Sequence, residues 1–149
     1  MRIHATCVVI GEAGILIRGL SGSGKSSLAL QLLTDAARAG RFSRLVGDDR
    51  VEIAALNGRL VARPVKPIEG RLEVRGVGIV GLAHEPAAVV RLIVDCAAEA
   101  PARMPEGADA VAIVAGIALP RLVSDLDEGI AERVQWRLNG LCDAGMTHL

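Results

Sequence analysis

Apolar positions in this chain fall mostly in short runs bounded by turn residues, and only twice in helical stripes. Residues 6–10 and 15–18 are apolar runs around the turn Gly11-Glu12-Ala13-Gly14, a pattern that predicts a hairpin. Leu45-Val46-Gly47 predicts a short strand ending in Asp48-Asp49. Residues 51–56 and 59–63 flank Asn57-Gly58, which predicts a second hairpin because both turn residues tolerate positive φ. Pro64, Pro67 and Gly70 mark a loop. Residues 72–80, broken by Gly76 and Gly78, predict a short strand and an active-site turn. Residues 89–94 read as a strand interrupted by Arg91, residues 97–109 as a loop, and residues 110–115 and 117–119 as strands. The first helical stripe covers residues 27–39, with Leu28, Leu32 and Leu33 on one face and Gly40 as its C-cap. The second is Leu126, Ile130, Val134 and Leu138, with Ser124 to cap its start and Gly140 to end it. Together these elements predict an α/β domain with few helices and several hairpins, more β-rich than a doubly wound nucleotide fold.

Composition narrows the function classes. A chain of 149 residues is long enough for one domain with a proper core. Its formal net charge is zero and it has no long basic run, so nucleic-acid binding lacks electrostatic support. Phe42 and Trp136 are its only aromatic residues apart from histidines, which argues against base stacking. Cys7, Cys96 and Cys142 are scattered and form no metal-ligand spacing, as expected of buried or idle thiols in a reducing compartment. No signal-peptide pattern opens the chain, and runs such as residues 111–115 are far too short to cross a bilayer. The expectation is a cytoplasmic protein with neither nucleic acid nor membrane as partner.

The strongest chemical signal is Gly19-Leu20-Ser21-Gly22-Ser23-Gly24-Lys25-Ser26, a complete G-x-x-x-x-G-K-[ST] phosphate loop. Its glycines let backbone N–H groups approach phosphate oxygens. Lys25 supplies a charge for the β- and γ-phosphates, and Ser26 offers a hydroxyl to Mg²⁺. The strand Ile15-Leu16-Ile17 precedes the loop. The following helix, opening at Ser27, turns its positive end toward the anion. Residues 19–27 are therefore the expected nucleotide-binding segment.

Phosphoryl transfer also needs acidic groups for Mg²⁺ and for the acceptor's proton. Asp95 ends the apolar run Val89-Val90-Arg91-Leu92-Ile93-Val94, like an ordinary Walker B aspartate. Asp48-Asp49 ends Arg44-Leu45-Val46-Gly47. Spacing alone does not choose between them. Leu45-Val46-Gly47-Asp48-Asp49-Arg50-Val51, however, is similar to the Asp-Asp strand of bacterial HPr kinase/phosphorylase. Leu72-Glu73-Val74-Arg75-Gly76-Val77-Gly78-Ile79 resembles that family's Leu-Glu-Ile-Arg-Gly-x-Gly-Ile signature. His4, two strands ahead of the phosphate loop, matches the place of a family histidine.

The resemblance implies a P-loop kinase domain with a β-rich mixed sheet, similar to phosphoenolpyruvate carboxykinase, with residues 1–149 as one catalytic domain of a short member lacking the regulatory domain. It implies a serine kinase that uses ATP and Mg²⁺, has an HPr-like phosphocarrier of the sugar phosphotransferase system as partner, and performs phosphorolysis in many members. It implies a homo-oligomer, in the family a hexamer. By the same resemblance Lys25 and the loop backbone would hold ATP, and Ser26 and Glu73 would contact Mg²⁺. Asp48 would take the serine proton, Asp49 and His4 would orient the site, and Arg75 would support the phosphates or the loop. The chain departs from the family pattern in two places. It has His4-Ala5 where the family usually has His-Gly. After Leu119-Pro120-Arg121 it continues into acidic Leu122-Val123-Ser124-Asp125-Leu126-Asp127-Glu128 instead of a basic segment with Gly-Arg-Asn. Two other readings remain open: a P-loop kinase for a small metabolite, and a non-catalytic, nucleotide-gated regulator.

Overall fold

The computed structural model describes residues 1–20, 22–66, 69–96, 110–124 and 129–147. In chain order the elements are β1 (Arg2–Ile10), β2 (Ala13–Arg18), α1 (Lys25–Arg38), β3 (Ser43–Gly47), β4 (Arg50–Leu56), β5 (Arg59–Pro64), β6 (Arg71–Val74), β7 (Gly78–Gly81), β8 (Ala88–Cys96), β9 (Val111–Val114), β10 (Ile117–Ser124) and α2 (Ile130–Thr147). The predicted hairpins β1–β2 and β4–β5 both form. In the second, Asn57 and Gly58 adopt φ of 52° and 76°, the double positive φ that a two-residue turn demands.

Eight strands make one mixed sheet in the order β2-β1-β4-β5-β8-β10-β9, with β3 beside β1. The long strand β1 shares one edge between two partners, β4 along its first residues and β3 along its last. A parallel pairing of β2 with β8 closes β2, β1, β4, β5 and β8 into a ring. Strands β6 and β7 form a separate two-stranded hairpin. A second strand therefore stands where the sequence predicted only a turn, and Gly76 and Gly78 shape its reversal at φ of 81° and 110°.

The uninterrupted apolar runs follow from burial on both faces of the sheet. Alternate side chains point to opposite sides. Val8, Ile10, Ile15, Ile17, Leu92 and Val94 meet Leu28 and Leu32 of α1 and Val134 and Leu138 of α2. Their neighbours Cys7, Val9, Leu16 and Ile93 join Val51, Ile53 and Leu60 in a second cluster. Each such aliphatic side chain contributes roughly 1.5–3 kcal/mol when fully buried.

Helix α1 starts two residues earlier than the apolar stripe predicted. Gly40 does end it: its N–H donates to Ala37 O, and the Arg41 N–H donates to Ala36 O, the paired bonds of a Schellman cap. The expected caps of the second helix do not form. Ser124 is the buried last residue of β10, paired with Cys96 of β8, so a sheet ladder takes the residue that was expected to cap. Gly140 lies inside α2, which continues to Thr147. Leu126, the first residue of the predicted stripe, lies outside the described residues, as do the loop predicted over residues 97–109 and Pro67.

Candidate active site

The phosphate loop leaves the C-terminal end of β2 and enters α1 through Gly24, whose φ of 95° turns the chain into the first helical residue, Lys25. Gly19 is required for space. A Cβ there would stand 2.7 Å from Ser23 Oγ and 3.0 Å from the Cys96 Cβ at the end of β8. The loop is therefore packed directly against β8. The Lys25 ammonium donates to the Leu20 carbonyl at 2.8 Å and lies 3.5 Å from Asp49 Oδ1, with the side chain only 3% exposed. The Leu20 and Ser27 side chains face solvent. Ser21, also expected to bind nucleotide, lies outside the described residues.

Asp48 is the hub of the site. Its Oδ1 accepts the Ser26 hydroxyl at 2.6 Å and the Thr6 hydroxyl at 2.9 Å, and its Oδ2 accepts the Glu73 N–H at 3.2 Å. One carboxylate thus ties the phosphate loop, β1 and the β6–β7 hairpin together. Asp49 follows at φ 62°, a left-handed conformation that aspartate adopts more readily than most residues. That turn aims its N–H at Thr6 Oγ1, at 3.1 Å, and its carbonyl at the N–H of Ala5. The Asp49 carboxylate is about half exposed (49%) beside Lys25. Glu73 and Arg75 are exposed on the β6–β7 hairpin, and His4 is exposed on β1 opposite Arg50. Among the described residues, their side chains do not join the hydrogen bonds around Asp48.

The donor set suits Mg²⁺. Ser26, Asp48 and Asp49 offer hard oxygens, the ligands Mg²⁺ prefers. Among the described residues no group of three or more His, Cys, Asp or Glu side chains is arranged to hold a metal. A Mg²⁺ ion here would therefore draw on phosphate oxygens and water as well, which is its usual habit.

Asp95 stands apart from this hub. Its two oxygens accept a fork from Arg18, Nε at 2.7 Å and Nη2 at 2.8 Å, and a further bond from Arg121 Nε. Burial alone would raise the Asp95 pKa, but the two guanidinium groups outweigh it and hold the carboxyl below the usual range. The same hydrogen bond raises Arg18 against the opposing effect of burial. Both oxygens are committed to arginine, so this is not the arrangement of a Walker B metal ligand.

A family model described as "HPr Serine kinase C-terminal domain" matches residues 1–85. The chain belongs to this family. The match takes in the phosphate loop, Asp48-Asp49 and the Glu73–Arg75 hairpin. The HPr kinase/phosphorylase of Clostridium beijerinckii is 46% identical over 79 residues, which are 53% of this chain and 24% of that protein. The Clostridium tetani protein of the same name is 43% identical over the same shares. The matched stretch thus spans about a quarter of these curated relatives. The structure of the Hpr(Ser) kinase/phosphatase from Coxiella burnetii shares the fold, with a TM-score of 0.74 at 24% identity, over 99% of this chain and 96% of that one. The family fold therefore continues through β9, β10 and α2, beyond the reach of the family model.

Three residues of the site were not singled out for it by the sequence. Thr6 is a fully buried hydroxyl inside an apolar strand, and that position was the available signal. Arg18 is a charge at the end of a buried strand, one residue before the loop. Arg121 is 26 positions from its carboxylate partner, and only the parallel pairing of β10 with β8 brings the two together. A groove of about 460 Å³ between α1 and α2, lined by residues including Gln31, Asp35, Glu132 and Trp136, contains none of the loop or Asp48 hub residues.

Proposed function

We propose that this chain forms the catalytic centre of an ATP- and Mg²⁺-dependent serine kinase whose acceptor is an HPr-type phosphocarrier. The observation that carries this reading is the Ser26–Asp48–Glu73 cluster, which joins the phosphate loop to the two motifs that mark the family. The names of the curated relatives support the acceptor. The openness of the site, with Glu73 and Arg75 exposed and Asp49 half exposed, supports a protein serine over a metabolite in a closed pocket.

In this reading the loop amides and Lys25 hold the β- and γ-phosphates. Mg²⁺, held by Ser26 with Asp49 or Glu73, would neutralise charge on the phosphates. The acceptor serine Oγ attacks the γ-phosphorus, an O–P bond forms, and the bond to the β–γ bridging oxygen breaks to release ADP. Asp48 takes the serine proton. His4 and Asp49 orient the acceptor side, and Arg75 supports the phosphates. The three donors on Asp48 favour a second assignment, in which Asp48 mainly holds Ser26 and the hairpin while Asp49 takes the proton.

The test is incubation of the protein with labelled ATP, Mg²⁺ and purified HPr, followed by mass spectrometric mapping. An acid-stable phosphoserine on HPr is the expected result. Label found only on a small metabolite, or an acid-labile protein label, overturns it. The relatives' names also include phosphorylase. Transfer from phosphoserine to inorganic phosphate, giving serine and pyrophosphate, is therefore the second activity we propose for the same site, in a cytoplasmic homo-oligomer.

A further inference from the structure

We propose that Asp95, acting through Arg18 and Arg121, is a positioning residue that fixes the starting point of the phosphate loop; this rests on the reading of residues 19–26 as a nucleotide site. The argument begins with where the sheet ladder stops. The pairing of β2 with β8 ends at Arg18 opposite Asp95. The next residue, Gly19, opens the loop, so no further strand hydrogen bond restrains it from that side. The Arg18–Asp95 fork is the last tie before the loop, made by both oxygens in a planar two-point geometry that resists rotation as well as separation.

A third strand enters the same knot. Arg121 of β10 bonds Asp95 Oδ2, and β10 runs parallel to β8 with Val123 opposite Asp95. One carboxylate therefore ties the last residue of β2 and the end of β8 to the middle of β10, close to the end of the sheet where α/β folds place their ligands. The loop also rests on this knot directly, because Gly19 abuts Cys96, the residue after Asp95. A shift of the β8 end would move both the loop's first residue and the surface beneath it. The side chains are shielded enough for the geometry to hold, at 32%, 16% and 24% exposure for Arg18, Asp95 and Arg121.

The experiment compares the wild type with Asp95→Asn and Arg121→Gln in two arms. The first is hydrogen exchange of the amides of residues 19–26 in the protein without nucleotide. The second is ATP affinity by calorimetry at saturating Mg²⁺, together with the Mg²⁺ titration midpoint. Asp95→Asn should speed exchange of the protected loop amides, such as that of Ser23, about tenfold beyond any speeding in β4 and β5 that follows from lower global stability. It should weaken ATP binding about tenfold with the Mg²⁺ midpoint unmoved. Arg121→Gln, which leaves the Arg18 fork in place, should shift both readings in the same direction by less, and it stands in if Asp95→Asn fails to fold. Lower thermal stability with loop exchange and ATP affinity at wild-type values overturns the proposal, because it leaves Asp95 a merely structural role. A shifted Mg²⁺ midpoint also overturns it, by making Asp95 a metal ligand. If the wild type binds no ATP but the variant still loosens the loop, the nucleotide reading falls and the positioning role stands.

Discussion

Lys25 carries the sharpest expectation for a single residue. Its ammonium lies between the Leu20 carbonyl and Asp49, where phosphate oxygens of a bound nucleotide would meet it. Lys25→Ala should leave the fold intact by circular dichroism and reduce ATP affinity by at least about tenfold. A folded variant with wild-type ATP affinity would remove the nucleotide reading. The neighbouring carboxylates separate the two assignments of the proton acceptor. If Asp48 is the base, Asp48→Asn cuts transfer by about 10²-fold or more at near-normal ATP affinity, and Asp49→Asn has the smaller effect. If Asp48 mainly holds Ser26, the order reverses and Asp48→Asn weakens ATP–Mg²⁺ binding as well. Separate assays of binding and transfer read this directly. At this scale the sequence was legible where a motif has a fixed local geometry, as in the loop and Asp48-Asp49. It was silent on Thr6, because a buried threonine in an apolar strand looks the same whether its hydroxyl bonds a carboxylate or its own backbone.

At the scale of elements, turn chemistry was the readable part. Asn57-Gly58 and Gly40 fold as their preferences for positive φ dictate. The start and end of α2 were not readable, because Ser and Gly have more than one common use. Ser124 satisfies a sheet ladder, and Gly140 sits within a helix whose Val134 and Leu138 face is held by the core. That makes Gly140 a correctable weakness. It is exposed, it lacks a positive φ, and an added Cβ would meet nothing nearer than Arg137 Nη1 at 3.8 Å. Gly140→Ala should raise stability by roughly 0.5–1 kcal/mol, a gain of a few °C in Tm by calorimetry. An unchanged or lower Tm would mean that α2 is not continuous through residue 140.

Across the whole molecule, the pairings that close the ring and bring Asp95 to two arginines span distant parts of the chain, so local pattern could not specify them. The runs around Ile15 and Ile93 announced strands, but not that β2 and β8 are neighbours. The Arg18–Asp95–Arg121 knot joins three such strands, and its contribution to stability should carry a pH signature. The folded-state pKa of Asp95 is depressed, so its contribution is fully present above the unfolded value of about 3.9 and is lost as pH falls through the lower folded value. In Asp95→Asn the two guanidinium groups face a neutral amide at every pH. Removing one partner of a shielded ion pair is destabilising, and part-exposure makes the loss smaller than in a dry core. The wild type should therefore melt a few °C above Asp95→Asn at neutral pH, with a constant gap down to about pH 5 that narrows below about pH 4. Melting both proteins in a pH series at fixed ionic strength reads the gap directly. A gap that stays constant or widens into acid would show that Asp95 does not act as an anion between the two arginines, and the three strands would then owe their alignment to backbone pairing and packing alone.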